Sequence, residues 1–456
     1  MANYNFSRIP KEVPMVKTKF REIATSIPAP GTSEILESLD RYESRSMHGQ
    51  MPIIWDKASD FNVYDKHNNK WIDFTSTIFV TNIGHANKHL KKRLQEVLDN
   101  DLLHTYAYAN EIRLKYLKKL IEFTSQNFEK AFLLSAGTEA TEAALKLMRL
   151  NGLKNQKRKL GIICFEGNWH GRTMGAQMMS GNIKQKEWIG YLDPNIYHLS
   201  FPYPWDIIEQ DPEEMFENGL KNLLTNGIDL GKDICGIMLE TFQGWGAVFY
   251  PKSFVKLVKY NADKYNWLIT FDEMQAGFCR TGKLFGYEHY DVVPDLICCG
   301  KGISSGVPLS AVLGKQEVMD LPDVGEMSST HSANPLSCAA GLANLEYIIE
   351  NDMINVAYNK GQVLHKGLNE IKEKYPEKIS YILGKGMIAA LIFSDIKHQN
   401  TYSDLASIVC EKAMQKGLLV VHTGRESIKI APPLTISNDA LIEGIEVLDE
   451  AILESL

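Results

Sequence analysis

From about residue 85 onward, short apolar runs alternate with longer helical segments. The runs are "KAFLLS" (130–135), "LGIICFE" (160–166), "ICGIMLE" (234–240), "NWLITFDE" (266–273), "DLICCG" (295–300) and "LSAVLG" (309–314). Each is short, apolar and bounded by turn residues, as expected for a strand covered on both faces. The helical segments include 86–100, 110–126, 138–151 and 251–265. This alternation predicts an α/β domain over 85–335, a mostly parallel sheet wrapped by helices.

The flanks read differently. The first ~35 residues are polar and Pro-rich around "SIPAPGTSE", which suggests an extended arm. Residues 53–74 read as short strands, with "DKHNNK" (65–70) as the turn between "FNVY" and "WIDF". After about 335, "NPLSCAAGLANLEYIIEND" reads as a long helix. It leads into helices mixed with the strands "MIAALIFS" (387–394), "LLVVHTG" (418–424) and "SIKIAPPLTI" (427–436). A smaller α+β domain is expected over 336–456, with the strands of 1–84 joining it.

Composition narrows the function. The 456 residues are 44% hydrophobic and 23% charged, as in ordinary globular proteins. A net charge of −7 leaves no electrostatic footprint for nucleic acid, and the basic run at 149–159 reads as a solvated helix end. No stretch approaches the ~20 apolar residues of a membrane span, and the N-terminus lacks an apolar signal core. Seven scattered cysteines, odd in number and without a C-x-x-C pair, fit a reducing compartment. The expectation is a cytoplasmic protein with no nucleic-acid, membrane or metal partner.

The stretch "ICCGKGISSG" (297–306) sets Lys301 between two glycines, straight after an apolar run. Adjacent Cys298 and Cys299 on a strand point to opposite faces and cannot readily chelate one metal. A phosphate loop would need Gly at 295 and Ser or Thr at 302, where the chain has Asp295 and Gly302. A lysine nucleophile remains.

Ligands of open α/β sheets bind beyond the carboxyl ends of the strands, so the residues that follow each run matter. After "KAFLLS", Gly137 and Thr138 open a helix, whose free N–H groups suit a phosphate; an ordinary βα loop is the alternative. Trp169 and His170 follow "LGIICFE" in a glycine-rich loop. Glu240 ends one run, Asp272 another, and Lys301 follows a third. A lysine amine forms a Schiff base with an aldehyde. Pyridoxal phosphate is the aldehyde cofactor that needs such a lysine, an acid for its ring nitrogen and an anion site. Lys301, Asp272 and the Gly137–Thr138 pair would fill those needs. Trp169 would cover a ring face, and Gln275 would bond the phenolic oxygen.

The motifs "SAGTEATEAALK", "WHGRT", "FDEMQAGFCRTGKLFG", "GKGISSGVPLSAVLG" and "STHSANPLSCAAGLA" together resemble the class III pyridoxal-phosphate-dependent aminotransferases, over roughly residues 50 to 440. The resemblance implies fold type I: a large domain with a mostly parallel seven-stranded sheet, plus a smaller domain from the N- and C-terminal segments. It implies a homodimer with shared active sites. It makes Lys301 the Schiff-base lysine and Asp272 the ring-nitrogen partner, and puts Gly137 and Thr138 on the phosphate. Thr330 would reach the phosphate of the neighbouring subunit, and Met274 would face the ring opposite Trp169. His170 and Glu240 complete the expected cofactor set.

The substrate half departs from the family's pattern. The loop aromatic, commonly Tyr or Phe, is Trp169. Many members have Q-G-E where this chain has Gln243, Gly244 and Trp245. The arginine that pairs with that glutamate, in "R-F-x-P-P", is replaced by Lys429. Lysine cannot make the planar two-point grip of arginine on a carboxylate. Arg425 either takes over that role or is a surface turn residue. Phe79, Tyr106 and Tyr108 are further pocket candidates, with core packing as the alternative.

The reading is therefore an aminotransferase that passes an amino group from an amine or amino acid to an oxo acid or other carbonyl acceptor, by way of pyridoxamine phosphate. An amino acid racemase or epimerase of the same fold is the alternative, and a decarboxylase a weaker one. A nucleotide-dependent dehydrogenase would want an early G-x-G-x-x-G, which is absent. A non-catalytic binding protein would have no use for Lys301 together with Asp272.

Overall fold

Seven strands of the computed structural model form one sheet: β1 (Lys130–Leu134), β2 (Gly161–Phe165), β3 (Ile196–Leu199), β4 (Ile234–Glu240), β5 (Leu268–Asp272), β6 (Leu296–Cys299) and β7 (Ser310–Gly314). The structure describes residues 4–125 and 127–456, so the last residue of the helix expected over 110–126 lies outside it. The strand order is β1-β7-β6-β5-β4-β2-β3. β7 runs antiparallel to both of its neighbours, β1 and β6, and the remaining pairs are parallel. Every residue of β2, β4, β5, β6 and β7 is buried, which is why these segments are continuous apolar runs rather than alternating ones. Strand β3 carries no such run. It is an edge strand, and only Leu199 of its four residues is buried.

Helix α1 (Gly137–Lys154) follows β1. Its Ala140, Ala144, Leu147 and Met148 are fully buried on one face and form one core with Cys164, Met238 and Cys298 of the sheet. This apolar face, flanked by the partly buried Ala143 and Leu145, is what seals the helix to the sheet. The start of the helix is fixed by Glu139, whose carboxylate accepts the N–H groups of Ser135 and Ala136 at 2.8 Å each.

The chain divides into two compact units. The larger comprises Lys88–Gly244 and Val248–Ile354; the smaller comprises the chain up to Asn87, Trp245–Ala247 and Asn355–Leu456. The expected boundary at 335/336 therefore moves. Helix α2 (Pro335–Glu350) belongs to the larger unit, because it packs on the helices Lys88–Asp99 and Glu111–Phe123. It is buried along most of its length and starts at Asn334, whose side chain caps Leu336 N–H at 2.9 Å.

In the smaller unit, N- and C-terminal segments share a sheet: Leu418–Leu419 pairs in parallel with Lys70–Asp73. The expected hairpin is present, with Asn62–Tyr64 antiparallel to Lys70–Asp73. Asp65 shapes its turn by accepting the N–H groups of His67 and Asn69. Trp71 fills the core beside Val63 and Leu419, and its indole N–H reaches Met414 O at 2.8 Å. A second, four-stranded antiparallel sheet holds Tyr381–Lys385, Ile388–Ile392, Ser427–Ile430 and Val421–His422 in that order.

Just after Lys70–Asp73, four consecutive residues have left-handed backbones: Ser76, Thr77, Ile78 and Phe79, with φ of 45°, 53°, 60° and 69°. For side-chain-bearing residues this costs about 1–2 kcal/mol each. The turn is held by its surroundings. Asp73 accepts from Thr75 N–H and Oγ1 and pairs with His85 at 2.7 Å; Ser76 Oγ donates to Ala431 O at 2.6 Å. No helix among the described residues is long and apolar enough to cross a membrane.

Candidate active site

The carboxyl ends of β4, β5 and β6 lie side by side. Asp272 is in register with Glu240 on one flank and Cys298 on the other. Glu240 is the last residue of β4, Asp272 the last of β5, and Lys301 stands two residues beyond β6. These three line a cavity of about 160 Å³ in the larger unit, together with Gly137, Thr138 and Trp169. His170, Met274 and Gln275 also line it. Gly171, Phe242 and Ala276, which carry no local sequence signal for this role, complete the wall.

Lys301 is half-buried in the cavity wall, and removal of its amine from water pulls it below the usual lysine range; the charges of Asp272 and Glu240 oppose the shift. Its backbone is left-handed, with φ of 46°. A strained lysine at a strand end is the kind of outlier that marks a functional site. Gly300 beside it leaves the space that Met274 fills: a Cβ there would sit 2.4 Å from Met274 Sδ. A Cβ on Gly137 would sit 2.7 Å from the same sulfur, so Met274 lies between two glycines. Cys298 and Cys299 are fully buried thiols, pushed up by burial and inert.

Asp272 does not stand alone. Its Oδ2 lies 2.9 Å from His170 Nδ1, and its Oδ1 accepts Met274 N–H at 3.1 Å. His170 is held from behind: its N–H donates to Ser180 Oγ, and its carbonyl accepts from Thr141 Oγ1. Two partners link positions about a hundred residues apart, and the local sequence gives no sign of the pairing.

Glu240 ties two loops to the cavity. Its carboxylate accepts the N–H of Trp169 at 2.8 Å and of Gly244 at 3.2 Å. Burial, and then the nearby Asp272 charge, push this acid up to about 8. Trp169 carries the Arg172 guanidinium 4.5 Å over its ring. Thr138 Oγ1 bonds Thr173 Oγ1 at 2.6 Å. Gly171, with φ of 140°, lets the loop approach that hydroxyl, since a Cβ there would fall 2.3 Å from it.

The remaining expected site residues lie elsewhere. Thr330 is exposed, is not part of the cavity wall, and accepts His104 Nε2 at its carbonyl. Tyr106 and Tyr108 are exposed and also outside the wall. In the smaller unit Phe79 is buried, with the Lys429 ammonium 4.6 Å over its ring. In the same unit the Arg425 guanidinium lies 3.7 Å from the Trp245 ring centroid. Arg425 does occupy a turn, between Val421–His422 and Ser427–Ile430, and its side chain is 40% exposed.

The cavity suits a flat, phosphorylated aldehyde. A helix start with close-approach glycine offers N–H groups to a phosphate, a buried carboxylate offers a partner for a cationic ring nitrogen, and the lysine amine is depressed toward its nucleophilic form. A seven-stranded sheet with these groups at the ends of its middle strands defines a pyridoxal-phosphate enzyme of fold type I. The profile of the "Aminotransferase class-III" family matches residues 44–452, and the chain belongs to that family. It is thus a pyridoxal-phosphate-dependent aminotransferase. It is 32% identical to the mitochondrial acetylornithine aminotransferase of Candida glabrata, over 86% of this chain and 88% of that protein. It is 28% identical to the alanine/serine racemase of Pyrococcus horikoshii, over 99% and 96% of the two chains. An aminotransferase structure from Bacillus anthracis superposes with a TM-score of 0.84 at 25% identity, covering 93% of this chain and 98% of that one.

Proposed function

We propose that Lys301 is the lysine that carries the cofactor, and that the donor is an amino acid whose carboxylate is received by Arg425. The observation that carries this reading is the half-buried Lys301, its amine depressed, sharing one cavity with Asp272 and the start of α1. Bound pyridoxal phosphate supplies an aldehyde carbon and an electron-accepting ring. Gly137 and Thr138 bind its phosphate through the open helix end, and Asp272, oriented by His170, holds the ring nitrogen's proton. Trp169 and Met274 enclose the ring, and Gln275 bonds its phenolic oxygen. Lys301 Nζ then takes the proton from the substrate carbon that bears nitrogen and returns it across the site.

Arg425 suits a carboxylate better than Lys429 does. Its guanidinium is planar and partly exposed, whereas the Lys429 ammonium is buried over Phe79. Trp245 provides the apolar wall against which Arg425 stacks. The Candida glabrata relative supports N-acetylornithine as a first donor to try. The active unit in this reading is a homodimer, in which the exposed Thr330 serves the phosphate of the neighbouring subunit. Seven buried cysteines without disulfides support a reducing compartment, read here as the cytoplasm.

The test is the visible spectrum of the holoenzyme, titrated with N-acetylornithine, N-acetylputrescine and a panel of amino acids without any oxo acid. Conversion of the cofactor band to the pyridoxamine form by an amino acid supports the reading. The Pyrococcus horikoshii relative makes racemisation the second reading. A persistent band while the amino acid loses optical purity would favour it.

A further inference from the structure

We propose that Glu426 and His398 are positioning residues that fix the guanidinium of Arg425 for a substrate carboxylate. The inference rests on the reading of Arg425 given above.

The turn that carries Arg425 is tightly built. Thr423 Oγ1 donates to Ser427 O at 2.7 Å and accepts Arg425 N–H at 3.2 Å. Ser427 Oγ donates to Trp245 O at 2.8 Å, which ties the turn to the backbone of the indole residue. The side chain is then held at two places. Arg425 Nη2 donates to Glu426 Oε1 at 3.0 Å, and the guanidinium carbon lies 3.7 Å from the Trp245 ring centroid.

Beneath the arginine runs a line of polar groups that are mostly buried. Glu426 Oε1 also meets His398 Nε2 at 3.1 Å. A carboxylate only accepts, so His398 donates from Nε2. His398 Nδ1 meets Ser394 Oγ at 3.0 Å, and Ser394 Oγ meets Ser380 Oγ at 2.7 Å. The Glu426 and His398 side chains are 8% and 13% exposed, against 40% for Arg425. Burial pushes the Glu426 acid up, but the bond from His398 and the charge of Arg425 outweigh it and hold it at about 2. Glu426 is therefore an anion at every working pH.

A buried carboxylate contributes little net stability, because the cost of taking it out of water offsets its ion pair. It does remove freedom from its partner. An unrestrained arginine loses much of its rotamer entropy when it binds a ligand, and prior fixation removes that cost. Here the floor is Glu426, the wall is Trp245, and the exposed part of the guanidinium remains for a ligand. His398 keeps Glu426 from turning away.

Steady-state kinetics on the holoenzyme test this with N-acetylornithine and N-acetylputrescine, which differ by the carboxylate. Glu426→Gln and His398→Gln are each expected to raise KM for N-acetylornithine about tenfold, with kcat changed less than about twofold and N-acetylputrescine unaffected. Arg425→Lys is the control for the underlying reading. If Arg425→Lys raises that KM while the other two variants leave it unchanged, the positioning role is overturned and the carboxylate role stands. If Arg425→Lys leaves it unchanged, both fall. A loss shared equally by the two donors, or a lowered unfolding temperature alone, would mark a purely structural role and also overturn the inference.

Discussion

Asp272 Oδ2 and His170 Nδ1 lie 2.9 Å apart, both side chains almost completely buried, at the mouth of a strand and in the loop that carries Trp169. The acid expected to serve the cofactor ring therefore comes with its own orienting partner. Replacing that partner removes one charge-assisted bond, worth about 1.5–3 kcal/mol. His170→Phe is expected to lower kcat by about ten- to a hundredfold while the unfolding temperature changes little. Stopped-flow measurement of the first half-reaction checks this; an unchanged rate would mean that Asp272 holds its position without the imidazole.

Glu240 makes stability depend on pH in the direction opposite to an ordinary surface acid. Its folded carboxyl titrates near about 8, well above its value of 4.5 in an unfolded chain. Between those values the folded state holds the proton and the unfolded state does not. The stability contributed by this group is full below about pH 4.5 and is lost as pH rises to about 8. Glu273, pushed up to about 7 by burial, adds to the same slope. Glu240→Gln is expected to flatten the fall in unfolding temperature of the apoprotein between pH 5 and 8, read by calorimetry. Parallel curves for the two proteins would contradict it.

Gly171 is needed twice, for its φ of 140° and for the space taken by Thr138 Oγ1. Gly171→Ala brings about 1–3 kcal/mol of strain into the loop beside the Thr138 end of the cavity. Cofactor dissociation is expected to quicken about tenfold, measured by dilution of the holoenzyme and loss of the visible band.

The left-handed turn at Ser76–Phe79 stores strain that glycine would relieve. Ile78 is the choice, because it is the exposed apolar residue of the turn, at 45% of its full surface, whereas Phe79 is buried. Ile78→Gly removes about 1–2 kcal/mol of backbone strain against about 0.5–1 kcal/mol of added chain entropy. A slightly raised unfolding temperature is expected; a clear decrease would mean that Ile78 makes contacts worth more than the strain.

Strands buried on both faces were legible because their apolar residues are contiguous, and the residues that end them, Glu240, Asp272 and Lys301, were legible with them. Strand β3 was not, because an edge strand with one buried residue has no apolar signature. Helix α2 was legible as a helix but not in its unit, since the partners that bury it begin at Lys88 and Glu111, far back in the chain. The site divides the same way. Gly137, Thr138, Trp169 and Gln275 follow or flank strands and could be expected at the cavity, whereas Met274 was expected from the family resemblance alone. The pairing of His170 with Asp272, and of Trp245 with Arg425, depends on long-range packing that no local pattern records.

The central claim is that Lys301 carries the cofactor, and the most direct measurement is borohydride reduction of the holoenzyme followed by peptide mapping. The account predicts a single modified peptide with the pyridoxyl group on Lys301, and no modification of that peptide in Lys301→Ala. A pyridoxyl group on another lysine in the native protein would contradict it.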